Sequence, residues 1–593
     1  MGVKKVKPFK CFGNGWVIKT GFSWDGSLLG VAKSTGIGVF DQEGNSVRGE
    51  LPSPDGYITC LDFHPKENTV IGGSSSGLIF VWDINDKTIV KRFEGHEKDI
   101  NAVFFEPKGR WFASASDDKT VRLWDYRTTS CKEVFKGHEN SVEALAISHD
   151  GKILISGSTR GFLRVWDITK GMTLKTLKQH SGSISALCLS KDDRKLVSSS
   201  WDMSAIIWST EKWAPVHTLK GHWDCVSDAA FLPDEEVIVT SSFDGTLRFW
   251  STSTGREKMR LRPHKSFISS MSCHPKKNII VTCSWDQTLK LIDVEQRKEV
   301  KQINTFSPPL WSAVLEPKQK ILVSGGRDNS ARVYDVESGE KSALLKGHGN
   351  DINAVAFSPD SKFLATASDD YTIRLWDVER YSENRVFQGH EDYVNDLIFS
   401  RDGKYLISAS DDQSVRIWEI AEGEEVKYLN NHKGFVNALA LSPQGQYVAS
   451  GSADGTIGLI DLEIMRFVKV INGHADSVWS LSFDPDGTFI YSASRDKTLR
   501  KSDVATGESS QVNIIFDNLN NIWSIAVHPE YKYIAAAIDK GDVLLTSPDG
   551  QQVKGLLLGH TAAVNSLFFS QDGRILISAS DDGRCLFWDV NSF

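Results

Sequence analysis

Cysteine, proline and methionine are scarce in this chain: 8, 17 and 6 among 593 residues. The cysteines are scattered and none sits in a Cys-x-x-Cys pair. A disulfide framework and a zinc cluster are therefore both unexpected, and a reducing cytoplasmic location fits. No Asn-x-Ser/Thr acceptor occurs. No apolar run approaches the ~18 residues of a membrane span, so no membrane insertion is expected. There is no apolar leader, and Met1-Gly2-Val3-Lys4-Lys5-Val6 lacks the hydroxyl residue that a myristoylation signal places sixth. A P-loop, a Gly-x-Gly-x-x-Gly after a strand and a His-Glu-x-x-His are all missing. The expectation is a non-enzyme with no catalytic residues, no cofactor, no metal and no small-molecule substrate.

Charge is also unevenly spread. Net charge is −8, made of +5 over residues 1–300 and −13 over the rest. An acidic second half argues against nucleic acid as a partner. The densest basic run, Arg256, Lys258, Arg260, Arg262 and Lys265, alternates like a strand with one wet face. That pattern suits a charged outer edge, which discourages edge-to-edge aggregation.

What the chain has is repetition. Gly347–Val378 holds three β-branched or aromatic runs, Ile352–Phe357, Phe363–Ala367 and Thr372–Asp377, separated by turn residues. A fourth, Arg385–Phe387, leads into the next Gly389-His390. Together they predict a four-stranded antiparallel meander. The residue opening the pair that ends the third strand recurs every 42 residues, at Phe40, Trp82, Trp124, Trp166, Trp208, Trp250, Ile292, Tyr334, Trp376, Trp418, Ile460 and Ser502, then at Leu545 and Trp588. A histidine, usually after glycine, stands 28 residues earlier at His96, His138, His180, His222, His264, His348, His390, His432, His474 and His560.

Gly-His, a period near 40 and Trp-Asp resemble the signature of the WD-repeat family across essentially the whole chain. The resemblance implies an all-β fold of two tandem seven-bladed WD-repeat β-propellers. No linker is visible. Repeats one and eight lack Gly-His, which suggests that each opens a ring, 1–295 and 296–593, with the boundary near Glu295. Only five residues follow Trp588, and a spare strand lies near Val3–Lys10. Sequential closure is favoured: the spare joins the strands ending at Ile292, and Glu299–Ile303 joins those ending at Trp588. In the alternative, the N-terminal strand meets the C-terminal strands directly and the second ring is an insertion in the first.

An aspartate recurs six residues before the third-strand pair, at Asp118, Asp202, Asp244, Asp286, Asp328, Asp370, Asp412, Asp454, Asp496, Asp539 and Asp582. With a second-strand serine it mimics a Ser-His-Asp triad. A catalytic set is needed once, and this one recurs. In the family such residues tie the Gly-His loop, second strand and Trp together. The resemblance therefore makes His96, Asp118 and Trp124; His348, Asp370 and Trp376; His390, Asp412 and Trp418; and His560, Asp582 and Trp588 structural. The network is thinned where Arg160, Ile292, Ile460 and Ser502 replace its members.

The residue before the network Asp, and those three and five after the His, face the top rim of a meander ring. Peptide-binding family members make their contacts there. Carried over, the first ring's protein-binding face holds Trp16, Tyr57, Asp99, Asp117, Trp201, Phe243, Phe267 and Trp285. The second ring's holds Trp311, Arg327, Tyr393, Trp479, Arg495 and Trp523, facing Asp351, Asn353, Asp369, Asn395, Asp411, Asn437 and Asp581. Exposed aromatic clusters mark binding sites, unless loops cover them. The expected function is a scaffold presenting two faces to proteins or peptides in a multiprotein or cytoskeletal assembly. The layout is similar to that of actin-interacting protein 1, a cofactor of actin-filament disassembly, and to ciliary and microtubule-associated WD-repeat proteins. Ser116–Arg127, ending Trp124-Asp125-Tyr126-Arg127, resembles the box of cullin-4 ubiquitin-ligase substrate receptors, on Arg127 alone.

Overall fold

A computed structural model of the chain describes all residues except 1–3, 7, 9, 13–14, 42–43, 287, 304–306, 515–520, 539–540 and 591–593. Asp539, assigned to the recurring network above, lies outside the described residues. No α-helix occurs among those described, and the strands form fourteen separate sheets. They belong to two compact units, residues 15–306 and residues 1–14 with 307–593, with seven of the sheets in each.

Repeat nine shows why each period folds as it does. Ile352–Phe357, Phe363–Ser368, Thr372–Asp377 and Ser382–Gln388 pair in order, all antiparallel. The second strand is almost wholly buried because it is sandwiched between neighbouring sheets. Small residues such as Ala365 and Ala367 let those sheets approach. The fourth strand is the wet outer edge. The basic run behaves likewise: Glu257–Leu261 is an outer strand, and Glu257 pairs with Arg248 and Arg260. A turn between strands two and three needs a left-handed residue, met by Gly77, Gly161 or Gly455 in some repeats and by Tyr371 (φ 70°) here.

One irregularity recurs in the first strands. In repeat nine the register shifts between Ile352 and Ala354, so Asn353 is left out of the ladder. The same shift falls at Trp311, Asn395, Asn437, Trp479, Trp523 and Asn565. Such bulges re-aim a side chain, and these re-aim it at the channel.

The closure differs from the sequential expectation. Lys298–Ile303 pairs with Leu289–Asp293 of its own repeat. Ile303 is buried with Leu289 and Leu291, and a short connection through Arg297 brings the strands together at little loop-closure cost. Sheet one of the 15–306 unit then packs on sheet seven: the Thr20 and Phe22 amides donate to Ser270 and Ser272 Oγ, both 3.3 Å. Lys10–Phe12 instead pairs antiparallel with Cys585–Asp589, and Lys4–Val6 lies parallel to Val553–Leu557. The N-terminal segment thus supplies the fourth strand of the sheet built by the final repeat. The direct meeting of the two ends is thus the observed one, but with the nesting reversed: residues 15–306 are inserted in the other ring. The units divide at 14/15 and 306/307 rather than near Glu295.

Candidate protein-binding faces

The recurring polar set is a closed hydrogen-bond chain. In repeat three, His96 Nδ1 meets Asp118 Oδ2 at 2.6 Å, and His96 Nε2 meets Ser114 Oγ at 2.7 Å. Trp124 Nε1 donates to the same Oγ at 2.7 Å. A neutral imidazole with its proton on Nδ1 satisfies every partner. Burial keeps the His96 imidazole below its usual pKa, against the pull of Asp118. Burial pushes Asp118 up, but bonds from His96 and Thr120 win and hold it low. The same chain runs through His348, Asp370 and Trp376, through His390, Asp412 and Trp418, and through His560, Asp582 and Trp588. In repeats six and nine the bridging hydroxyl is Thr240 or Thr366, not serine. Gly73-Ser74-Ser75-Ser76-Gly77 has the Gly-x-Ser-x-Gly spacing, yet it turns between strands Thr69–Ser74 and Ile79–Asp83 rather than into a helix.

Repeat four tests the network. Its His138 reaches Ser156 at 2.7 Å, but among the described residues no carboxylate meets Nδ1, since Arg160 stands where the aspartate belongs. Burial, helped by Arg164, pushes His138 down to about 4. The unfolded chain, with His near 6.5, takes the proton first. The contribution to stability is full above pH ~6.5 and is lost as pH falls towards ~4. Arg160→Asp is expected to stabilise the 15–306 unit by about 1.5–3 kcal/mol at pH 7, as a charge-assisted bond, and to raise the His138 pKa. Urea midpoints at pH 7 and 5, with imidazole titration by NMR, check this; unchanged values refute it.

A second recurring device holds neighbouring sheets together. Asn101 Nδ2 donates to Asp117 Oδ1 (2.6 Å) and to Val142 O of the next sheet (3.1 Å). Asn353 does the same with Asp369 and Val394, Asn395 with Asp411 and Val436, and Asn565 with Asp581 and Leu310. Asp117, Asp369, Asp411 and Asp581, read above as rim groups, are therefore engaged in latches. Where the asparagine is replaced by Ser185, Ser227 or Ser269, the rim position before the network Asp is aromatic: Trp201, Phe243 or Trp285.

Those aromatics meet. Within the 15–306 unit Trp201 and Phe243 centroids are 6.4 Å apart, and Phe243 stacks on Phe267 at 5.2 Å. Trp285 lies 5.3 Å from Phe267 and 6.4 Å from Phe243. Trp201 is 53% exposed, Trp285 43% and Phe267 37%. Trp223, 58% exposed, follows His222 on the same loops and was not among the expected face residues. Trp16 and Tyr57 form a separate pair at 5.9 Å, and the Tyr57 hydroxyl donates to Asp99 at 3.5 Å. Burial, then Asp99, pushes Tyr57 up to about 12. Glu143, also unanticipated, is pushed up to about 7 by burial and by Asp117 and Asp99. The face thus has an aromatic arc on repeats five to seven and an acidic arc on repeats three and four.

In the unit of 307–593, Trp479 and Trp523 stack at 4.6 Å with planes 3° apart. Trp311 lines the same channel mouth. Arg495 lies 3.9 Å from Asp476, and Arg327 acts on Asp351 and Asp581. The three Trp are thus together, whereas each Arg already faces a carboxylate. Tyr393 stands apart from them, 5.8 Å from Tyr371.

Inside the 15–306 unit Lys19 lies 3.3 Å from Asp228, with Cys60 and Cys283 nearby. Burial would lower the Lys19 amine, but Asp228 holds it up, and burial pushes both thiols to about 11. Neither a free amine nor a thiolate is on offer there. No cluster fit to hold a metal occurs among the described residues.

Comparison with known families gives the frame for these faces. The model described as WD domain, G-beta repeat matches residues 45–83, 87–125, 129–167, 171–209, 213–251, 423–461, 465–501 and 550–589, together more than half of the chain. The model described as echinoderm microtubule-associated protein second beta-propeller matches residues 268–435. A stretch of 47 residues is 40% identical to transcription initiation factor TFIID subunit 5 of Caenorhabditis elegans, taking in 8% of this chain and only 7% of that protein. The repeats, their hydrogen-bonded cores and this coverage agree: the chain belongs to the WD-repeat family.

Proposed function

We propose that the protein is a non-catalytic scaffold whose 15–306 unit holds a protein partner on the arc of Trp201, Phe243, Phe267 and Trp285. Propellers of this family generally bind proteins. The observation that carries the reading is the convergence of four aromatics from three adjacent sheets, three of them substantially exposed. Covering one such side chain contributes roughly 1.5–3 kcal/mol. The acidic arc of Asp99, Asp117 and Glu143 selects for a partner segment that carries basic residues beside its apolar ones. The match to the microtubule-associated propeller model favours a cytoskeletal assembly involving microtubules over the actin and ubiquitin-ligase readings. Within the ubiquitin-ligase box Arg127 is exposed, but Tyr126 is spent on Glu67 and Thr69.

Trp201→Ala with Trp285→Ala is expected to abolish one subset of partners and leave the melting temperature nearly unchanged, since both rings are rim groups. Affinity purification with quantitative mass spectrometry reads the outcome. A folded double variant that retains every partner at wild-type strength removes the site.

A further inference from the structure

We infer that the channel mouth of the 307–593 unit is a receptor for one arginine side chain of a partner protein, gripped by four asparagine carboxamides and the indoles of Trp311 and Trp479. This site is separate from the aromatic arc of the 15–306 unit and does not depend on it.

Six of the seven bulged first-strand residues of this unit, Trp311, Asn353, Asn395, Asn437, Trp479 and Asn565, line one cavity of about 200 Å³, and the seventh, Trp523, stacks on Trp479. Small-molecule pockets run to ~300–1,000 Å³, so this one suits a single side chain. The orientation of each carboxamide is fixed by its partners. Asn353, Asn395 and Asn565 each direct Nδ2 at a carboxylate oxygen and a backbone carbonyl, which only accept. Asn437 Nδ2 is held by Val478 O at 3.0 Å and Ser477 Oγ at 3.2 Å. Both amide hydrogens are thereby used, and the Oδ1 atoms remain as acceptors for which no protein donor is present among the described residues.

A collar of four acceptors calls for a ligand that only donates. Guanidinium carries five N–H donors and no acceptor, in a plane that stacks on indole. Trp479, backed by the parallel Trp523, presents such a face to the cavity. Lysine offers three donors on a point and no plane. Charge agrees: behind the collar, burial and neighbouring carboxylates push Asp351, Asp369 and Asp411 up, a strain that a cation relieves. The corresponding bulge positions of the 15–306 unit are Ile18, Thr59, Asn101, Glu143, Ser185, Ser227 and Ser269, and they build no such collar.

The chain itself shows which replacement is harmless. Ser185 occupies the equivalent position and still bonds the neighbouring carbonyl, Val226 O, at 2.6 Å. Asn353→Ser, Asn395→Ser and Asn437→Ser combined therefore remove three of the four carboxamide acceptors and keep the sheet contact. The probe is a capped Gly-Arg-Gly tripeptide added to the full chain, read by quenching of tryptophan fluorescence, beside otherwise identical citrulline and lysine peptides. The arginine peptide is expected to quench saturably, to bind about tenfold or more tighter than either control, and to lose about tenfold in the triple serine variant. Trp201→Ala should leave this binding unchanged. Equal binding of citrulline or lysine to the unmodified chain overturns the proposal whatever the variant does. So does a folded triple variant that binds arginine as the wild type does.

Discussion

Deleting residues 1–14 is expected to unfold residues 307–593 and to leave 15–306 folded. The segment supplies the strand Lys10–Phe12 against Cys585–Asp589 and Lys4–Val6 against Val553–Leu557. Lys10 Nζ also donates to the carbonyls of Val336 and Glu337, so it ties the last sheet of the ring to the first. Without it, Cys585–Asp589 becomes a bare edge beside a core containing Leu586 and Trp588. Several backbone hydrogen bonds at about 0.5–1.5 kcal/mol each put the loss at ~3 kcal/mol or more. Limited proteolysis with fragment mapping distinguishes the outcomes. Cuts spread through 307–593, with 15–306 protected, are expected; the reverse pattern, which sequential closure demands, sinks the nested topology.

Trp376→Ala should cost about 3–5 kcal/mol, the usual range for a buried large aromatic. The indole is 2% exposed and packs with Val323, Val333, Leu345 and Leu364 between two sheets. Its Nε1 donates to Thr366 Oγ1 at 2.9 Å, and Thr366 in turn meets His348 at 2.7 Å. Truncation leaves a void and strips one partner from a buried hydroxyl, so His348 and Asp370 should loosen as well. Trp376→Phe keeps most of the packing and should cost distinctly less. A urea midpoint equal to wild type for the alanine variant contradicts the account. Repeats seven and eleven, with Ile292 and Ile460 in this place, show that packing alone also builds the sheet: both isoleucines are buried.

The period of 42 made the sheets legible, because only a recurring four-strand unit puts a histidine, an aspartate and a tryptophan at constant offsets. It also aligned Trp201, Phe243 and Trp285, and phase alone implied that they meet. Closure was not legible. Two strands of similar composition competed for two open sheets, and the outcome turned on which hairpin could form locally. Glu143 and Trp223 were missed for different reasons. Glu143 stands five residues after His138, a position at which no other repeat carries a carboxylate. Trp223 stands one residue after His222, where no other repeat carries an aromatic ring. Asp117, Asp369 and Asp411 looked like free rim charges because the bulge that swings Asn101, Asn353 and Asn395 across to them leaves no mark in the sequence.

The nested closure also sets a timetable. Phe12 pairs with Cys585, so during synthesis the N-terminal strand waits while 573 further residues are added. At ~5–20 residues per second that delay is roughly 30–115 seconds. The 15–306 ring has all of its own strands by residue 303 and is complete long before then. A nascent chain thus carries a finished ring flanked by a strand with no partner. For that interval the strand is an exposed template for pairing with other chains, and ribosome-bound chaperones have reason to hold it.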